Sequence, residues 1–189
     1  MHDKIAMGVL MYFVMPLWLI AGFADYLCHR ARRIEFSTGV KESLIHLLLF
    51  AEMGVPMLAA LFLDVNAAVL TIMGAALLAH EATTLWDLAY AQRTRGIGWV
   101  EQHVHGFLEM IPLLGLSLMV VLHWEQAFAI VGAGPQAADW TLRLKYEPLP
   151  VAYVVIALGA TLGIDILPFL EELWRGIRAR RRRRLAVAE

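Results

Sequence analysis

A single cysteine, Cys28, among 189 residues excludes an internal disulfide and leaves no thiolate set for a zinc ribbon or an iron–sulfur cluster. Any metal bound by this chain must therefore rest on His, Asp and Glu. Lysine is equally scarce: of 16 basic residues only Lys4, Lys41 and Lys145 are lysines, while seven of the arginines crowd between Arg175 and Arg184. The net charge of -1 thus hides a strongly local distribution. Internal repeats, low-complexity linkers and any polar block large enough to fold separately are missing, which leaves one domain. The Gly132-Ala-Gly134 segment lacks the pattern of a phosphate cradle, and no HExxH metalloprotease motif occurs.

What is abundant is apolar surface. A hydrophobic content of 60% and a mean hydropathy of +0.62 exceed what a soluble core of this size requires, so the excess must face lipid. A helix crosses a bilayer with about 20 residues, and five stretches reach that length, at 5–28, 43–63, 67–90, 100–123 and 150–172. The expected fold is all-α, a polytopic membrane helical bundle of about five transmembrane helices. It divides into a transmembrane helical domain, 1–174, and a basic cytoplasmic tail, 175–189. The N-terminus enters its first apolar run without a small-residue cleavage motif, which predicts a retained span.

Lys and Arg favour the cytoplasmic loops of membrane proteins. Arg30, Arg32, Arg33 and Lys41, then Arg93 and Arg95, then the terminal arginines all fall on one side of a five-span chain. This predicts an outside N-terminus and a cytoplasmic C-terminus, in a bacterial inner membrane. Directly after a span, the run 178–184 reads as a topology determinant and lipid-headgroup contact, not as a nucleic-acid site. The nine methionines are scattered without ligand spacing and read as packing residues.

Ionisable groups within the spans are the unexpected feature, since each costs roughly 2.5–3.5 kcal/mol to insert and usually pairs inside the bundle. Span one ends in Asp25-Tyr-Leu-Cys-His29, span two begins Glu42-Ser-Leu-Ile-His46, and span four begins Glu101-Gln-His103-Val-His105. In all three an acid precedes a histidine by four residues, and at about 100° per residue both side chains share one helical face. Span one runs toward the cytoplasm while spans two and four run from it. Asp25 should therefore stand level with His46 and His105, and His29 level with Glu42 and Glu101, in two stacked layers. Span three adds His80 and Asp87, and Glu109 continues the stripe Glu101–His105. Singly, each such residue reads as a structural hydrogen-bonding group or a solvated loop neighbour. Together, so many acids and imidazoles at one depth require cations, and a site for two divalent metal ions satisfies them. The expected ligands and their neighbours are Asp25, His29, Glu42, His46, His80, Asp87, Glu101, His103, His105 and Glu109. Mixed carboxylate and imidazole suits iron, with zinc or manganese as alternatives.

Inward carboxylates and histidines on facing helices resemble the chemistry of di-iron bundles, and His103-Val-His105 approaches the histidine boxes of membrane-bound di-iron oxidases, hydroxylases and desaturases. The resemblance implies an oxidoreductase that hydroxylates or desaturates a lipid or other hydrophobic small-molecule substrate near the cytoplasmic face, supplied by an electron donor. The departures are an acid-x-x-x-His spacing on three helices, where soluble di-iron bundles carry Glu-x-x-His on two, and the shortage of paired histidines. Three other classes use the same residues: a zinc-dependent lipid hydrolase, a divalent-metal or proton transporter, and a b-type cytochrome with His46, His80 or His105 as axial ligands.

Overall fold

A computed structural model describes residues 2–188. Five helices are long and apolar enough to cross a membrane: α1 (Asp3–Arg32), α2 (Val40–Phe62), α3 (Ala67–Thr94), α4 (Trp99–Leu122) and α6 (Val151–Ala186). A short helix, α5 (Trp124–Ile130), follows α4. Among the described residues the only β pairing is the isolated bridge between Leu63 and Leu144. The expected spans are all present, and three of them run longer than hydropathy alone predicts. Helix α1 continues through His29 to Arg32, α3 through Ala91 to Thr94, and α6 through the arginine run.

Prolines shape two of these helices. Short π-helical stretches, Leu10–Val14 in α1 and Thr161–Ile166 in α6, each end two residues before a proline, Pro16 and Pro168. A proline ring has no amide hydrogen and presses on the carbonyl four residues back. A widened turn displaces that carbonyl and lets the helix continue. At the other end of α3, the chain turns at Gly96, whose φ of 70° is open to glycine and strained for other residues. The Gly96 amide bonds back to the Ala91 carbonyl at 3.2 Å, closing the helix end and turning Arg95 inward.

The five long helices form a ring in which α1 packs on α4, α4 on α3, α3 on α2, α2 on α6, and α6 back on α1. Large apolar side chains cover its outside, Leu78 at 73% exposure among them, as lipid contact requires. The 124–149 segment, which the spans leave as the one long loop, is α5 followed by an extended return that seals the end of the bundle away from the arginine run. Its backbone bonds to the α2–α3 turn, Lys145 N–H to Phe62 at 2.9 Å and Asp64 N–H to Arg143 at 3.0 Å. Buried Val69, Leu70, Met73 and Met119 fill that end.

Between helices in lipid the hydrophobic effect supplies little, so close packing and polar links hold them. One close approach is at Gly22 of α1. A Cβ there would lie 2.7 Å from Oδ1 of Asp165 on α6, a fully buried carboxylate with neither oxygen hydrogen-bonded. Gly22→Ala should therefore cost about 1–3 kcal/mol through overpacking, read as a lower denaturation temperature in detergent. Adding Asp165→Ala should restore most of it; if the single variant matches the parent, the α1–α6 approach is looser than described.

Candidate metal centre

Each acid-x-x-x-His pair does place both side chains on the inward face of its helix, and the antiparallel run of α1 against α2 and α4 aligns them. Asp25 is the meeting point of one layer. Its Oδ1 lies 3.1 Å from His105 Nε2, and its Oδ2 lies 3.9 Å from His46 Nε2 and 3.6 Å from His29 Nε2. Asp87 of α3 joins from the other side, its Oδ2 3.3 Å from His46 Nε2. In the adjoining layer His29 Nε2 stands 3.5 Å from Glu101 and 3.8 Å from Glu42. All seven of these residues are buried, including His29, Glu42 and Glu101, which their position beside loops left open to a solvated reading.

The donor atoms of Asp25, His29 and His105 lie within 4.8 Å of one another, as do those of His29, Glu42 and His46. His29 belongs to both trios, and its ring centroid is 4.5 Å from that of His46. Buried polar atoms in proteins are nearly always hydrogen-bonded. Here His29 Nε2, both nitrogens of His46, Asp25 Oδ1 and Asp87 Oδ1 are not. In both trios the donor atoms thus converge while several of them lack hydrogen bonds, an arrangement that suits a cation.

The outer face of His29 is arranged differently. Its Nδ1 is 3.1 Å from Oε2 of Glu172 on α6, and Ser43 donates to the other Glu172 oxygen at 2.8 Å. A histidine that ligates a metal through one nitrogen typically gives its other N–H to a carboxylate, which fixes tautomer and ring orientation. Phe169, also on α6, lies with its ring centroid 5.3 Å from His46 and 6.0 Å from His29 and excludes water from that side. The fifth span thus joins the site through Glu172 and Phe169, whereas Asp165 sits against Gly22.

The remaining expected residues separate. His80 lines a cavity of about 50 Å³ together with Asp25, His46, Asp87 and His105, and its Nδ1 is 3.9 Å from Glu52. Thr83 fixes Glu52 at 2.8 Å. His103 points outward, exposed, with its ring edge-on to Phe107 at 5.3 Å. Glu109 is half-buried and takes no part in the ion pairs among the described residues. Position on α4 explains both: His103 lies about 200° from His105, and Glu109 lies one turn deeper than the reach of His29 and Asp25.

Arg95 is the functional residue that sequence reasoning misplaced. Expected as a loop charge that sets topology, it turns into the bundle and is 6% exposed. Its Nε and Nη2 bond Glu42 at 3.1 and 2.5 Å, its Nη1 bonds Glu101 at 3.1 Å, and Nη2 also contacts Glu101 Oε1. The acids of this layer are therefore partly neutralised from within the chain. Burial works against the Arg95 charge, but hydrogen bonds to Glu101 and Glu42 outweigh it and raise the guanidinium pKa further above its usual value. The signal that could have found it is charge balance: buried carboxylates need a cation, and Arg95 stands beside the glycine that lets the chain turn in. The chain matches no protein-family model, no curated protein and no solved structure.

Proposed function

We propose that this chain is an integral membrane metalloenzyme, a di-iron oxidoreductase of the hydroxylase or desaturase type acting on a hydrophobic substrate. The observation that carries this reading is the pairing at His29. Nε2 faces the convergent donors while buried Glu172 holds Nδ1, the division of labour expected of a ligand histidine and its orienting partner. Asp25, His29, His46, His105 and Asp87 would hold the first ion. Glu42 and Glu101 would contribute to the second, in competition with Arg95. Iron bound there would supply the redox chemistry for oxidising an unactivated C–H bond.

The chain's own residues orient and insulate. Ser43 and Glu172 keep the His29 ring in place, Phe169 and Phe50 keep water from the inner layer, and the small cavity beside Asp25 gives a substrate carbon access to the centre. In this reading the N-terminus lies outside a bacterial inner membrane, the centre lies toward the cytoplasm, and an electron donor docks on that face. The Lys and Arg bias of the short connections supports that orientation. Membrane lipid surrounds the bundle and delivers the substrate laterally.

A second reading draws on Arg95. If that guanidinium and protonated imidazoles balance the acids by themselves, the network carries protons or divalent ions across the bilayer and no resident metal is needed. Elemental analysis of purified protein with an optical spectrum separates the two. The expected result is roughly two irons per chain without a Soret band. Stoichiometric zinc would point to hydrolysis, a Soret band to haem, and no retained metal to transport. His46→Ala and His105→Ala should each lower metal content while the protein still inserts; full occupancy in both removes the inner layer as the binding site.

A further inference from the structure

Methionines without any sequence pattern converge in space. Met15, Met53, Met57, Met73 and Met119, five of the chain's nine, line one apolar chamber of about 160 Å³ in the half of the bundle away from the arginines. Its walls run from Leu10 to Trp18 on α1, Met53 to Leu61 on α2 and Ile111 to Met119 on α4. Eight residues of helix rise about 12 Å, so the chamber extends about that far along the helices. Trp18 lines this chamber and also the small cavity that holds Asp25, His46 and His105. Trp18 is the wall residue that the two spaces share.

We infer that the methionine-lined chamber binds a single unbranched hydrocarbon chain, and that Trp18 sets how far that chain reaches toward the histidine–carboxylate centre. The inference deepens the proposed function and rests on it for what happens to the chain. A space of about 160 Å³ drawn out over about 12 Å of helix suits one linear chain better than a fused-ring molecule. Unbranched, polarisable methionine side chains adapt to a flexible guest where branched walls would hold only one conformation. The helices around the chamber present apolar residues to lipid, so an occupant arrives from the bilayer with no polar barrier.

The test uses full-length protein in nanodiscs and palmitic acid carrying a mid-chain diazirine, with photolysis followed by peptide mapping and metal analysis of the same samples. Adducts are expected in segments 53–61 and 111–119. Ala60→Trp and Gly115→Phe, which fill the chamber, should abolish them, and the smaller Ala60→Leu should reduce them if the bulky variants do not fold. Leu78→Trp, on the outer face, should leave them unchanged. Trp18→Ala should extend the adducts into the segment around His46 and Leu49. Adducts confined to outward residues, or equal yields in parent and Ala60→Leu, overturn the inference. Labelling without bound metal keeps the chamber and removes the metal reading; metal without labelling does the reverse.

Discussion

Arg95→Ala is expected to lower the stability of the folded bundle by about 3–5 kcal/mol, because removing one partner of a buried ion network leaves the others uncompensated. Glu42 and Glu101 are almost fully buried, and both bond the same guanidinium. Without it, two carboxylates from α2 and α4 face each other in the layer of His29, next to the layer that holds Asp25. Arg95→Lys should recover only part of the loss, since an ammonium cannot span both carboxylates with parallel hydrogen bonds. Because its pKa is raised, the guanidinium keeps its charge through the whole working pH range, and raising the pH does not release the clamp. Thermal unfolding in detergent reads the effect, with Arg143→Ala as a comparison. Arg143 pairs with Asp139 on the exposed return segment, where ion pairs contribute little. If Arg95→Ala behaves like Arg143→Ala, the two glutamates do not depend on Arg95. The same variant also tests competition at the proposed second metal position. Metal bound per chain should rise in Arg95→Ala if Glu42 and Glu101 are ligands, and hold if they serve only the arginine.

Asp25→Asn is expected to remove bound metal while the protein still inserts and folds. The amide preserves the size of the side chain but loses the charge, and Asp25 is the one group in contact with His29, His46 and His105 together. Its loss should exceed the roughly 10–100-fold drop in affinity typical of an orienting partner, which is the effect expected of Glu172→Gln. Metal titration of the purified variants ranks the two. His103→Ala should leave affinity unchanged, because that ring faces away from the centre. Parent-level metal in Asp25→Asn would place the ions elsewhere, and a larger effect from Glu172 than from Asp25 would exchange their roles.

Much of this architecture follows from local properties. Span number follows from the length of each apolar run. The depth of each polar residue follows from its distance to the end of its span and the direction of that span. Spacing of four residues puts Asp25 with His29, Glu42 with His46 and Glu101 with His105, and alternation of direction makes Asp25 level with His46 and His105. The observed contacts of Asp25 agree with that levelling.

Other features depend on how far each helix is rotated about its axis and on the path of its connections, which no local pattern encodes. His103 and His105 are two residues apart, and only packing decides which of them faces inward. Arg95 belongs to a connection by composition and to the centre by virtue of a left-handed turn at Gly96. Glu172 reaches His29 across 143 positions of sequence because α6 closes the ring against α1 and α2. Scattered methionines become one wall for the same reason. Hydropathy and periodicity therefore determined that the chain is a five-span bundle with acids and histidines at one end. The tertiary structure alone decided which of those groups meet, that an arginine neutralises two of them, and that five methionines line one apolar chamber, because each of these depends on distances between helices that are remote in sequence.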